Sequence, residues 1–412
     1  MQTSFRLFAL TSTILGLWSA SPAFAQTPPQ TPTPSPNSPE ARGQYIATLG
    51  DCVACHGGAK GDFAGGLGLK TPFGTIYASN LTQDKDTGIG NWTSDQFYKA
   101  MHDGIAADGS HLYPAFPYPW FTKLTRGDVD DLYAYLKTVP AVSNKVPEPD
   151  LPGPLSIRAT IAGWNALYFK EGEFTPDKSK SAEWNRGAYI VEGPAHCSQC
   201  HTPTNVAGGS DSSKAYQGGE LDHWFAPNLT GDKRVGLGSW SAKNIADYLK
   251  NGQIDRTAAY GPMNDVIQNS TSKMTDADLA AIATYLKSIP AAGPGPASEK
   301  PGADVINAGK AVYAANCSTC HQDSGGGEPG RYPGLKGSSF LQADNPTSVI
   351  RLVLSGDSND VSDQAMPSFA DKLSDDQAAA VISYVRSSWG NSAPPVTASQ
   401  VKDLRAAASA DQ

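Results

Sequence analysis

All six cysteines of this 412-residue chain fall into three copies of one pattern, Cys-x-x-Cys-His. The copies are Cys52-Val53-Ala54-Cys55-His56, Cys197-Ser198-Gln199-Cys200-His201 and Cys317-Ser318-Thr319-Cys320-His321. Two thiols at this spacing can form thioethers to the vinyl groups of a haem, and the histidine that follows then sits beneath the iron as its proximal ligand. A disulfide or a dithiol redox site needs no histidine directly after the second cysteine, and a zinc site needs two such pairs brought together. No cysteine is left over for either. The pattern therefore predicts three covalently bound haems c, attached at Cys52, Cys55, Cys197, Cys200, Cys317 and Cys320, with His56, His201 and His321 on the irons. Such a chain moves electrons.

The sixth ligand is the next requirement. Methionine is the usual partner of histidine in electron-carrying haems, because its thioether raises the reduction potential. Four methionines remain after the initiator. Met366 lies in Ala365-Met366-Pro367, eight residues before Ser374, and Met263 lies 66 residues after Cys197. These two are assigned to the third and second haems. Met274 immediately precedes Thr275, where the other copies hold Leu124 and Leu373, so it reads as a hydrophobic staple against Leu279. The first copy has Phe116 in Ala115-Phe116-Pro117, 64 residues after Cys52. Phenylalanine cannot bind iron. The candidates for that haem are Met101, His102, His111 or an open, water-bound site. Aligning Gly104 with Gly252 and Gly356 puts Met101 opposite Leu249 and Val353, on a helix expected to face the haem, and methionine is long and flexible enough to reach from there. Met101 carries the assignment. His102 falls opposite Lys250 and is expected in solvent, while His196 and His223 read as hydrogen-bonding groups near a haem.

The elements that must position these groups repeat as well. Gly43-Gln44-Tyr45-Ile46, Gly187-Ala188-Tyr189-Ile190 and Gly309-Lys310-Ala311-Val312-Tyr313 each lead into a haem motif. Asn80-Leu81-Thr82 with Gly88-Ile89-Gly90-Asn91-Trp92 matches Asn228-Leu229-Thr230 with Gly236-Leu237-Gly238-Ser239-Trp240 at the same spacing, so the first two copies are near duplicates. Ser38-Pro39-Glu40 predicts a helix start, with Tyr45, Ile46 and Leu49 facing a core. Capping boxes at Thr125 to Asp128, Thr275 to Asp278 and Ser374 to Gln377 open a closing helix in each copy. A helix before the motif, a wrapping loop and a closing helix form the plan of a small cytochrome c domain. The expected fold is all-α, with three tandem cytochrome c domains at 38–145, 180–292 and 302–392, a connector at 146–179 and a tail at 393–412. Asp84-Lys85-Asp86-Thr87-Gly88 lacks the downstream ligands of a calcium loop and reads as a turn.

Compartment and partners are bounded by the ends of the chain and by its charge. Arg6, the apolar stretch Leu7 to Trp18 and Ala23-Phe24-Ala25 predict a signal peptide over 1–25 and a periplasmic location. Residues 26–37 read as a Pro-rich leader. The formal charge of −8 becomes −9 once Arg6 is removed, which argues against nucleic acid as a partner. No later stretch approaches the roughly 18 apolar residues of a spanning helix, so membrane contact should be peripheral. The weak apolar face of Val396, Val401 and Leu404 in the tail is the candidate surface.

Further blocks carry a resemblance: His196-Cys197-Ser198-Gln199-Cys200-His201-Thr202-Pro203, Leu112-Tyr113-Pro114-Ala115-Phe116-Pro117-Tyr118, Trp164-Asn165 with Trp184-Asn185-Arg186-Gly187, and Trp389-Gly390-Asn391. With them nearly the whole chain after the signal resembles the three-haem cytochrome c subunits of membrane-bound, quinone-reducing dehydrogenases of acetic acid bacteria. The resemblance implies a catalytic dehydrogenase subunit as electron donor, of the PQQ, FAD or molybdenum type, and ubiquinone as acceptor. Many members of that family carry methionine where this chain has Phe116. Two other classes are a free periplasmic shuttle to a terminal oxidase and a haem enzyme working at an open first iron.

Overall fold

The computed structural model describes residues 37–292, 299–357 and 365–410. The expected signal peptide and all of the leader but Asn37 lie outside the described residues.

Three helix pairs form the frame. The leading helices Pro39–Leu49, Ala182–Glu192 and Ala303–Asn316 pack on the closing helices Arg126–Leu136, Asp276–Ser288 and Asp375–Ser387. Each crossing is made at the glycine that opens the repeated block. A Cβ on Gly43, Gly187 or Gly309 would stand 1.9, 2.0 or 2.1 Å from the carbonyl oxygen of Asp131, Ala281 or Ala380. Only a residue without a side chain lets the two backbones approach so closely. The first leading helix starts as its residues predict, with the Ser38 hydroxyl accepting from the Ala41 amide and proline at the first position.

Between the pair lies the loop that carries the haem motif and a middle helix: Ser94–Asp103, Ala242–Asn251 or Thr347–Ser355. The first two middle helices have complete capping boxes, Thr93 with Gln96 and Ser241 with Asn244. All three end at the glycines aligned above, which take φ of 68°, 74° and 73°. A short antiparallel pairing follows each glycine: Ile105 with His111, Gln253 with Ala258, and Asp357 with Met366. Gly68–Thr71 with Gly74–Tyr77, and Gly219–Leu221 with Trp224–Ala226, add two further hairpins to the otherwise helical frame.

The closing-helix caps correct one expectation. Ser374 and Gln377 form the full reciprocal box, but at Thr125 and Thr275 only the hydroxyl caps the helix. Asp128 and Asp278 turn away from the cap and bind tyrosines of the neighbouring repeat. Tyr45 OH donates to Asp278 at 2.7 Å, and Tyr189 OH donates to Asp128. The two clasps are reciprocal, as across a local two-fold axis. Tyr45 thus faces the neighbouring repeat and not its own core, whereas Ile46 and Leu49 are buried as expected.

This pairing gives the first two repeats one continuous core, in which Leu49, Phe97 and Leu132 join Ile190, Ile245 and Ile282. The third repeat has its own, around Tyr313, Ile350, Leu354 and Ile382. It docks on the second through Ser348, which accepts from the Phe225 amide at 2.7 Å, and through the Arg234–Asp344 ion pair at 3.1 Å. The tail corrects a second expectation. Val396 and Val401 are buried in the third core and Leu404 packs against it, so the apolar face of the helix Ala398–Ala410 is not free for a membrane.

Candidate haem sites

Each haem motif forms a single helical turn: Cys52–His56, Ser198–His201 and Ser318–His321. That turn brings both cysteines and the histidine to one side of the chain, and all nine side chains are half-buried. None of the six thiols is in a disulfide. Burial pushes Cys52 and Cys197 up to about 12 and Cys317 to about 11, so these are not the low-pKa thiolates of a dithiol redox site.

The motif histidines share one device. Nδ1 of His56, His201 and His321 lies 2.7, 2.6 and 3.0 Å from the carbonyl oxygens of Ser79, Pro227 and Pro333. A carbonyl can only accept, so Nδ1 carries the proton and the Nε2 lone pair is left for a metal. Burial holds all three rings below the usual imidazole range, which keeps them neutral.

The second motif opens on a cavity with about 1510 Å³ of unfilled space, its mouth included. Cys197, Cys200 and His201 line it together with Met263, which stands at the start of the helix Pro262–Asn269. The rest of the wall is mainly apolar or aromatic, with Leu249, Met274, Trp224 and Tyr260. A flat apolar macrocycle with one nitrogen ligand and one thioether fits this donor set and lining. Met274 is buried with Leu279, as the staple reading requires. Phe340, from the third repeat, also reaches the wall and packs at a tilt against Tyr260 with centroids 4.3 Å apart. Sequence spacing within one repeat carries no signal for such a residue.

At the first motif Phe116 is half-buried in the shared core and packs edge-on against Phe121. Met101 is 5% exposed in that same core, and its counterpart Leu249 is a cavity wall in the second repeat. Nδ1 of His111 is buried without a hydrogen-bond partner. His102 is a correction: it is buried, stacked on Tyr98 and bonded to Asp103 at 2.6 Å. His196 is half-buried, edge-on to Phe121 of the first repeat, with Nδ1 bonded to the Pro194 carbonyl, in keeping with its reading, while His223 is exposed. In the third repeat Met366 packs against the core from its single antiparallel bridge to Asp357. Asp84 accepts from the Thr87 amide and hydroxyl, as a turn.

A family profile described as "Cytochrome c" matches three segments, 40–140, 185–290 and 306–389. The chain belongs to the cytochrome c family. The cytochrome is 39% identical to the "Alcohol dehydrogenase (quinone), cytochrome c subunit" of Gluconacetobacter polyoxogenes, over 94% of this chain and 87% of the relative. It is also 39% identical to the "Fructose dehydrogenase cytochrome subunit" of Gluconobacter japonicus, over 92% and 85%. The "Gluconate 2-dehydrogenase cytochrome c subunit" of Pantoea cypripedii matches at 39% over 88% of this chain and 89% of the relative. The resemblance read from the motif blocks is thus shown by the relatives: the cytochrome is similar to cytochrome c subunits of alcohol, fructose and gluconate dehydrogenases.

Proposed function

We propose that the protein is a three-haem electron conduit, built of three tandem cytochrome c domains, that carries electrons from a separate catalytic dehydrogenase subunit to ubiquinone. The observation that carries the reading is the second cavity, where Cys197, Cys200, His201 and Met263 line one apolar space and the Pro227 carbonyl fixes the tautomer of His201. A haem c bound there would supply an iron that takes up and gives back one electron. The chain's residues do the rest. His56, His201 and His321 present Nε2, while Met263 and Met366 complete the second and third sites. Apolar walls exclude water and so favour the less charged, reduced state.

Met101 completes the first site from the middle helix, supported by its burial and by the cavity position of Leu249. One observation favours His111 instead, namely its partnerless Nδ1. Loss of the near-infrared band of methionine-ligated ferric haem from one of three haems in Met101→Leu, and not in His111→Ala, decides for Met101.

Export by residues 1–25 and a place on the periplasmic side of the cytoplasmic membrane belong to the same proposal. So does a dehydrogenase partner that oxidises an alcohol, sugar or aldehyde; the relatives' names supply the alcohol and the sugar, fructose. Among the described residues no helix is long and apolar enough to cross a membrane. Peripheral contact is assigned to the connector, where Ile157 and Leu167 are 57% and 76% exposed, since the tail's apolar face is buried. Ile157→Asp with Leu167→Asp should release the complex from the membrane fraction, and retention there removes that assignment.

The deciding experiment is isolation from the native membrane at low detergent, with identification of co-purifying chains. A large dehydrogenase subunit, reduction of the haem bands by one substrate class and reoxidation by a quinone analogue are expected. A lone cytochrome that no substrate reduces would overturn the reading in favour of a free shuttle. Perturbation of the first haem by cyanide would favour an enzyme working at an open iron.

A further inference from the structure

Asp51 stands directly before the first haem motif, at the N-cap position of the Cys52–His56 turn. Aspartate there usually accepts a bond from the helix's free amides. Asp51 makes no such bond. Its backbone is left-handed, with φ of 48°, and its Oδ1 is buried without a hydrogen-bond partner. The side chain instead lines the cavity of the second motif, together with Cys197, Cys200 and His201. A residue carried by the first repeat therefore belongs to the wall of the second site.

An unpartnered buried carboxyl costs free energy in either state and far more when ionised. It persists where something else at the site interacts with it. Burial is the main cause that pushes this carboxyl up to about 8; Asp265 adds to the rise and Lys273 opposes it. Those two are the charged groups facing it from the helix Pro262–Asn269 and from the turn Thr271–Lys273. His196, His201, Tyr248, Tyr260, Cys197 and Cys200 are the other titratable groups of the cavity, the two thiols becoming uncharged thioethers once attached, and the last turn of the leading helix, Ile46 to Leu49, carries none. Cys52 and Cys55 become uncharged thioethers once attached.

We infer that Asp51 is a positioning residue of the second haem, coupling that haem's electron to a proton across the boundary between repeats. The inference rests on the haem reading of the second cavity. Asp51 takes one proton from solvent when the site gains one electron, because the added negative charge favours the neutral carboxyl, and it returns that proton when the electron leaves. The second haem's potential then falls as pH rises through the carboxyl's titration. The first and third have no counterpart: His196 holds the equivalent place before Cys197, and Asn316 precedes Cys317.

The test is potentiometric titration of the holoprotein between about pH 6 and pH 9, the range that brackets the shifted carboxyl. Met263→Ala first identifies the transition of the second haem, as the one that moves. If none moves, the haem reading of this cavity fails. If one moves, Asp51→Asn should flatten the pH dependence of that transition, and Lys273→Met should move its pH window upward. Unchanged pH dependence in Asp51→Asn, with three haems still bound, overturns the inference. Should Asp51→Asn not assemble, an unmoved window in Lys273→Met overturns it.

Discussion

The first and second repeats are built on the same frame and differ where it matters for chemistry. Both cross their leading and closing helices at a glycine, both cap the middle helix with a reciprocal box and end it at a left-handed glycine, and both hold the motif histidine by a backbone carbonyl. Yet the side chain 66 residues after Cys197 is Met263, while the one 64 residues after Cys52 is Phe116, packed into aromatic core. Frame and ligand are therefore separable. The glycine crossings and caps are common to both, and on the proposed reading single side chains set within that frame decide what kind of electron carrier each site becomes.

The largest expected effect tests the shared frame. Gly43→Ala and Gly187→Ala each drive a methyl group into a backbone carbonyl, which cannot move without separating the helices. Each should cost more than about 3 kcal/mol, with loss of bound haem, as read by thermal melting and haem content. A mild effect in one and a severe effect in the other would break the equivalence of the two frames. The next effect tests the ligands. Met263→Phe makes the second site resemble the first and should lower its potential by on the order of a tenth of a volt, within the roughly 0.8 V that axial ligands span. Met101→Leu should lower the first haem by a similar amount, and adding Phe116→Met should restore it. Restoration would show that the distal place held by Phe116 is geometrically sound and merely lacks a donor atom.

The three Cys-x-x-Cys-His turns were legible because covalent haem attachment demands a contiguous pattern, and a contiguous pattern folds as one helical turn. The closing-helix boundaries were legible too, since Thr125, Thr275 and Ser374 each bind the amide three residues on. Residues whose partners lie in another repeat were not. Tyr45 read as a core residue and Asp278 as half of a capping box, but aspartate is one methylene shorter than the glutamate such a box prefers, and each finds a better partner across the interface. His102 read as solvated from its alignment with Lys250, yet Tyr98 stacks on its ring. The apolar tail read as a membrane surface because the spacing of Val396, Val401 and Leu404 shows an apolar face without showing what covers it. Periodicity within one segment holds no information on which distant segment will meet it.

The smallest effect concerns the clasp that joins the two sites. Burial alone would raise the Asp278 carboxyl, but the hydrogen bonds from Arg186 and Tyr45 outweigh it and hold the group below the usual carboxylate range. A carboxyl whose folded pKa is depressed adds stability above its unfolded value, and that stability is lost as pH falls through the folded one. The clasp should therefore hold at neutral pH and weaken below about pH 4. Tyr45→Phe removes one hydrogen bond to a charged, nearly buried acceptor and should cost about 1.5 kcal/mol at pH 7. Tyr189→Phe removes the reciprocal bond to Asp128 and should cost a comparable amount, because it too deprives a carboxylate of a tyrosine hydroxyl donor. Denaturant titration at pH 7 and below pH 4 reads both. The difference between Tyr45→Phe and the natural chain should shrink in acid, since the proton that neutralises Asp278 also weakens what Tyr45 binds. A difference that stays constant with pH would mean that Tyr45 acts through packing, and that the first two repeats are joined by their shared apolar core alone.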